Sequence, residues 1–153
     1  MMMILRNMCY EEVLNVVRGR NVMIWTCNTC AKICKGAGGA DAADRLAVRL
    51  GSDGVNVSSS VSVSAACLMS KVNPKVAEMP KEVDMIIALT CDIGVTCASN
   101  AFKRDVLAPF ATVGYGYADE DGSLILTSCS DADVPASLDR VAEEKGMGIG
   151  PLI

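Results

Sequence analysis

Two short, continuous apolar runs, VMIWTC at 22–27 and VDMIIALT at 83–90, set the terms for everything else in this chain. Neither alternates and neither is long enough for a buried helix. A central parallel strand covered on both faces has this character. Both runs lead into the same dipeptide, Thr26-Cys27 and Thr90-Cys91. Between them, Ala43, Leu46, Ala47 and Leu50 make one helical stripe opening at Asp41 and closed by Gly51 and Gly54. Residues 55–66 then alternate, with Val55, Val57, Val61 and Val63 opposite Asn56, Ser58, Ser60, Ser62 and Ser64. That is a strand with one polar face, suited to a sheet edge or a thinly covered side. Helical spacing also marks 9–19 and Gly94–Phe102, and a helix after Cys67 is interrupted near Pro74 or Pro80.

Strands alternating with helices predict a parallel sheet with right-handed crossovers. The expectation is one three-layer α/β domain over 1–153, Rossmann-like or flavodoxin-like, with a small, mainly parallel sheet of four or five strands. Residues 106–117 and 123–128 are shorter candidate strands around the turn Asp119–Gly122, either a hairpin or an extension of the sheet. Pro135 is predicted at the first position of a last helix carrying Leu138, Val141 and Ala142. The Met-rich start reads as a loose end or packing edge, and the tail GMGIGPLI as loose or docked.

Composition narrows the function. The 153 residues are 51% hydrophobic and 21% charged, enough for a real core. A net charge of −4, no basic run and 4% aromatics argue against nucleic acid as a partner. With no histidine, imidazole catalysis and His-ligated zinc are excluded. No apolar stretch is long enough to span a membrane, and the start lacks the apolar core of a signal peptide. The expected address is cytoplasmic, where eight cysteines point to metal or redox chemistry rather than structural disulfides.

The placement of those cysteines is the most informative feature. Cys27, Cys67 and Cys91 are expected at the C-terminal ends of three strands, which share one edge of a parallel sheet. Cys30 and Cys34 lie on the loop leaving the first strand. All five would meet where open α/β sheets bind ligands. Thiolates select zinc, iron–sulfur clusters or copper(I), and one loop giving several ligands plus remote ones suits a [4Fe–4S] cluster better than a zinc ribbon. Gly36, Gly38 and Gly39 are expected to offer backbone N–H groups to the bound group. Plainer readings stand beside this. Cys27 and Cys91 could be ordinary buried thiols, and Cys27-x-x-Cys30 could be a redox dithiol, although the helix is expected to wait for the glycines. The glycine stretch lacks the spacing of a phosphate loop. Cys9, Cys97, Cys129 and Trp25 read as core, and Asp92 as a surface or supporting group rather than a catalyst.

A strand ending in Cys, CxxCxxxC, a Gly-Gly turn opening a helix, and lone cysteines after the next two strands resemble a known pattern. It is that of the amino-terminal domain of the MetV-type iron–sulfur subunit of anaerobic methylenetetrahydrofolate reductase. NVMIWTCNTCAKICKGAGG, SAACLMS and DMIIALTCDIGV carry the resemblance. It implies an electron-transfer subunit, not catalytic by itself, paired with a flavin-bearing TIM-barrel reductase subunit in one-carbon metabolism. It also implies that Cys27, Cys30, Cys34, Cys67 and Cys91 include the metal ligands. Five candidates serve four positions, and crowding in the short loop makes Cys27 or Cys30 the first to set aside. The chain departs from the family in having only Cys129 where a second cysteine-rich segment is usual, and Ala40 where a Glu commonly follows the glycines. A shortened relative serving another reductase or methyl-transfer system fits those departures. Two other classes remain in view: a zinc-stabilised interaction module and a dithiol redox protein.

Overall fold

Both apolar runs are strands, and they lie side by side at the centre of one sheet. The computed structural model describes residues 1–128 and 135–153. Along the chain run β1 (Met2–Arg6), α1 (Tyr10–Val17), β2 (Asn21–Cys27), α2 (Cys30–Ile33), α3 (Ala40–Ser52), β3 (Asn56–Val63) and α4 (Met69–Val72). A 3-10 segment, Asn73–Glu78, leads on to β4 (Met85–Leu89), α5 (Asp92–Phe102), β5 (Asp105–Leu107), β6 (Phe110–Ala118), β7 (Leu124–Ser128), β8 (Ala136–Ser137) and α6 (Leu138–Lys145).

The parallel sheet has the order β3-β2-β4-β5. Flanked on both sides, β2 buries Val22 through Cys27, and β4 is buried along its whole length. This is why neither run alternates. Trp25 is fully buried, with its ring edge-on to Phe102 at 5.1 Å. The serine-rich strand β3 takes the edge, as its polar face predicts. The alternation there is broken by a bulge, where register jumps from Val22↔Val57 to Met23↔Ser59.

The expectation of one sheet of four or five strands is corrected. A second, antiparallel sheet has the order β1-β6-β7-β8. The Met-rich start is its edge strand, with Met3, Ile4 and Leu5 fully buried. The short run carries no turn or cap signal, so its pairing with β6 was not legible locally. The two candidate strands around Asp119–Gly122 form a hairpin of this sheet. Pro135 precedes β8 rather than opening the last helix, and Ser137 takes the N-cap position of α6 without a side-chain cap bond. Cys129 lies outside the described residues. The glycine-rich tail is docked: the Arg6 N–H donates to Gly148 O at 2.7 Å, the Arg6 guanidinium reaches Pro151 O at 2.6 Å, and Leu152 is buried. No helix among the described residues is long and apolar enough to cross a membrane.

Gly38 marks where the loop after α2 lies against the sheet. A methyl there would sit 2.5 Å from Ala31 Cβ and 2.7 Å from Leu89 O. Gly38→Ala is therefore expected to cost about 1–3 kcal/mol in urea unfolding. Gly51→Ala, on α3 with open space around it, is expected to be neutral or to stabilise by up to ~1 kcal/mol.

Candidate functional site

Three loops leave the C-terminal ends of β2, β3 and β4 and come together at one rim. Strand order reverses here, since the chain goes from β2 outward to β3 on one side and then crosses to β4 on the other. Ligands of open α/β sheets bind at such a crevice. The loops are laced to one another. Asn28 N–H donates to Val63 O at 2.8 Å, and the Thr29 hydroxyl donates to Ser64 O. The Ala66 N–H points at Cys27 Sγ, 3.5 Å away. The first turn of α5 closes on Ala66, where a methyl at Gly94 would lie 3.0 Å from Ala66 Cβ.

The cysteines sit on this frame at different depths. Cys27 ends β2 and is buried. Cys67 does not end its strand: β3 stops at Val63, and Cys67 is exposed in the following turn. Cys91 lies two residues beyond β4, buried at the N-cap position of α5, where it makes no side-chain cap bond but the nearby N–H groups of Ile93 and Gly94 favour its thiolate. Cys30 opens the one-turn helix α2 and is half-buried. A helical turn thus begins directly at the CxxC pair, where a plain loop was expected up to the glycines. Cys34 is fully buried and faces the edge of β1. Its sulfur lies 3.7 Å from Met2 O, to which the thiol donates, and the nearby Ile4 N–H favours its thiolate.

Four of these thiols sense one another. Cys34 is within electrostatic range of Cys30 and Cys91, and Cys91 of Cys30 and Cys27. Burial pushes both the Cys34 and Cys91 thiols up, and the neighbouring thiols add to the rise. The N–H donors at each sulfur oppose it, by favouring the thiolate. As free thiols, no three His, Cys, Asp or Glu side chains among the described residues are grouped to hold a single metal ion.

The glycine loop plays a different part from the one expected. The N–H of Gly36 donates to Lys32 O, that of Gly38 to Ala31 O and that of Gly39 to Thr26 Oγ1. These donors are spent inside the protein and are not presented to a ligand. The loop instead positions the rim, through backbone turns at φ +71° (Gly36) and +96° (Gly39) and the close approach at Gly38. The N–H group aimed at a sulfur is that of Ala66, at Cys27, while those of Ile4 and of Ile93 and Gly94 lie near Cys34 and Cys91.

Sequence reading missed the two threonines as functional supports, although the repeated Thr-Cys dipeptide was their signal. Thr26 is fully buried; its hydroxyl donates to Leu89 O at 3.1 Å and accepts from Gly39 N–H at 2.7 Å. Thr90, also buried, donates to Cys91 O at 3.0 Å. Asp92 has a supporting contact: its N–H donates to Thr112 Oγ1 at 2.8 Å, and its Oδ1 accepts from the Thr112 N–H at 3.4 Å. That pair ties the rim to the antiparallel sheet. Cys97 packs half-buried against the core, as expected. Cys9 does not fill the core: it is exposed at the N-cap of α1, its N–H donating to Glu12 Oε2 at 2.9 Å. Two concavities, a groove of about 470 Å³ beside Val48 and Ile153 and a 290 Å³ pocket beside Arg6 and Cys9, both lie away from the rim residues.

Chemically, the rim offers soft sulfur donors, one peripheral carboxylate and no imidazole, a set suited to thiophilic metals or to thiol redox chemistry. Thr26→Val, nearly isosteric, leaves the buried Gly39 N–H unpaired and is expected to cost about 1–3 kcal/mol in chemical denaturation. Under limiting iodoacetamide, mass spectrometry is expected to find Cys9 and Cys67 alkylated first in metal-free protein. Cys34 and Cys91 should react only slowly until the fold is opened.

Comparison with protein-family models, curated proteins and solved structures finds no match to this chain.

Proposed function

We propose that this chain is an iron–sulfur electron carrier that holds a [4Fe–4S] cluster at the cysteine rim and serves a flavin-bearing reductase subunit. The observation that carries the reading is the convergence of the loops after β2, β3 and β4 at one sheet edge, with Cys27, Cys30, Cys34 and Cys91 within electrostatic range of one another and the Ala66 N–H directed at Cys27 Sγ. Counting only the parallel strands, the order is second-first-third-fourth, which is the flavodoxin-like order, and the rim lies at its switch point.

A bound cluster supplies one-electron exchange. The chain's own residues supply the setting. Cys27 and Cys91, at the mouths of the two central strands, are buried and so keep water from the ligand sulfurs. The N–H groups of Ala66, Ile93 and Gly94 stabilise negative charge on those sulfurs, which raises a reduction potential. The N-terminus of α5 adds its partial positive charge at Cys91. Of the five candidates, Cys34 is the spare. Its sulfur already has protein partners along β1, and ionising it would set a thiolate against the Met2 carbonyl. This leaves Cys27, Cys30, Cys67 and Cys91 as the ligand set, contrary to the expectation that Cys27 or Cys30 would be set aside first. The link to methylenetetrahydrofolate reduction rests on the sequence resemblance.

A second reading, a dithiol redox protein, is favoured by the helical turn that starts at Cys30. Anaerobic purification separates the two. A brown protein bleached by dithionite, with about four iron and four sulfide per chain, is expected. Cys34→Ser should keep that stoichiometry, whereas Cys27→Ser, Cys30→Ser, Cys67→Ser and Cys91→Ser should each lower it. A colourless protein holding zinc, or one whose Cys27 and Cys30 cycle as a disulfide without metal, would overturn the proposal.

A further inference from the structure

The two edges of the parallel sheet are built differently. At one edge β5 is only three residues long, and it starts with Asp105, which is paired to Arg20 at 3.2 Å. Short, charged edge strands resist pairing with another chain. At the other edge β3 runs for eight residues and pairs with β2 alone. From Gly54 to Ser70 there is no charged residue and no proline. A bulge at Ser58 protects the start of the strand, but Ser59 to Val63 stay in regular register. The helix packed on β3, α3, sets Asp41 and Asp44 against Arg45 and Arg49 and so adds no net charge.

The open side of β3 carries unused main-chain groups. Val63 O accepts the Asn28 N–H, so Val63 turns its backbone towards β2. Both main-chain groups of a strand residue point to one side, and the side alternates along the strand. Val61 and Ser59 therefore also face β2, and Ser60 and Ser62 face outward. Among the described residues neither Ser60 nor Ser62 makes a main-chain hydrogen bond on that side. Ser60 is exposed and Ser62 half-buried, while Val61 and Val63 are buried on the core face. The residues are also symmetric about Val61, with Ser60 and Ser62, then Ser58 and Ser64, at equal distances on either side.

We infer that β3 is the contact by which two copies of this chain pair, antiparallel, about a two-fold axis at Val61. Ser60 then lies opposite Ser62 of the partner subunit, and the two exchange both main-chain hydrogen bonds; the axis repeats the exchange. Val61 meets its own copy at the position between these bonded pairs. No like charges are brought together, which is what a self-contact requires. The serine symmetry selects a second copy over a foreign strand, because a foreign strand has no need of it. Pairing joins the parallel sheets into one continuous sheet whose halves run in opposite directions. The two cysteine rims therefore face opposite ways and stay open. The contact needs no bound cluster, and being narrow it gives a weak, concentration-dependent dimer.

Sedimentation velocity of the anaerobically purified protein, kept reduced so that no thiols cross-link, is followed from micromolar to millimolar concentration. A species of twice the 16.1 kDa chain mass is expected to grow with concentration. Ser60→Pro removes an outward N–H and leaves the ladder to β2 intact, a change that edge strands tolerate. It should weaken the dimer about tenfold or more. Ser60→Lys combined with Ser62→Lys sets lysines against lysines at the axis and should leave only monomer. Ala118→Lys, at the exposed end of β6 in the other sheet, should dimerise like the parent. Circular dichroism and thermal melting first match each variant to the parent; if Ser60→Pro does not fold, the lysine pair decides. Hydrogen exchange gives an independent readout, since the Ser60 and Ser62 amides should exchange more slowly as concentration rises. A protein that stays monomeric over the whole range, or a dimer unmoved by the edge variants, overturns the pairing. So does an equal loss in Ala118→Lys, growth into assemblies larger than the dimer, or a dimer in which the Ser60 and Ser62 amides gain no protection.

Discussion

The buried hydroxyl of Thr26 is the joint from which the rim is built. It donates to the last carbonyl of β4 and accepts from the N–H of Gly39, so one side chain joins β2, β4 and the loop entering α3. All of this happens out of water, where an unpaired donor or acceptor is costly. The hydroxyl thereby fixes how far apart the chain leaves the two central strands, and with them Cys27 and Cys91. Gly38 serves the same end sterically, since any side chain would push the loop off Leu89 and Thr26.

The two sheets are not independent of this arrangement. Cys34 meets the backbone of β1, and Asp92 meets Thr112 on β6, so each central strand's loop is tied to the antiparallel sheet. The tail closes on Arg6 of the same edge strand. A thiol satisfying the backbone of an edge strand is a structural role, and it explains how a chain can carry more cysteines at one rim than four-fold ligation uses. On our proposal, the sulfurs facing the rim do the redox work and the sulfur facing β1 does the fastening.

Electrostatics at the rim are a balance of opposed effects. Burial raises the thiols of Cys34 and Cys91, while N–H donors and a helix terminus favour their ionised forms. A bound metal would resolve that balance outright, because a coordinating thiol loses its proton to the metal's charge.

Much of this was legible in the residues. Continuous apolar runs at 22–27 and 83–90 identified the central strands, because only a strand covered on both faces lacks alternation. The serine face of β3 marked the sheet edge, and the repeated Thr-Cys dipeptide marked the rim. What the sequence could not carry was pairing at long range. The antiparallel sheet joins residues 2–6 to 110–118, and the short, Met-rich β1 has no local feature that names its partner. The glycines were seen, but not that their N–H groups would be consumed by Lys32, Ala31 and Thr26. Nor could spacing reveal which way Cys34 faces, since that depends on β1 arriving beside α2. Local periodicity and residue chemistry thus determined the strands and the kind of donor. Only the tertiary structure decided which sulfurs face one another, because that is settled by hydrogen bonds and close packing between segments distant in sequence.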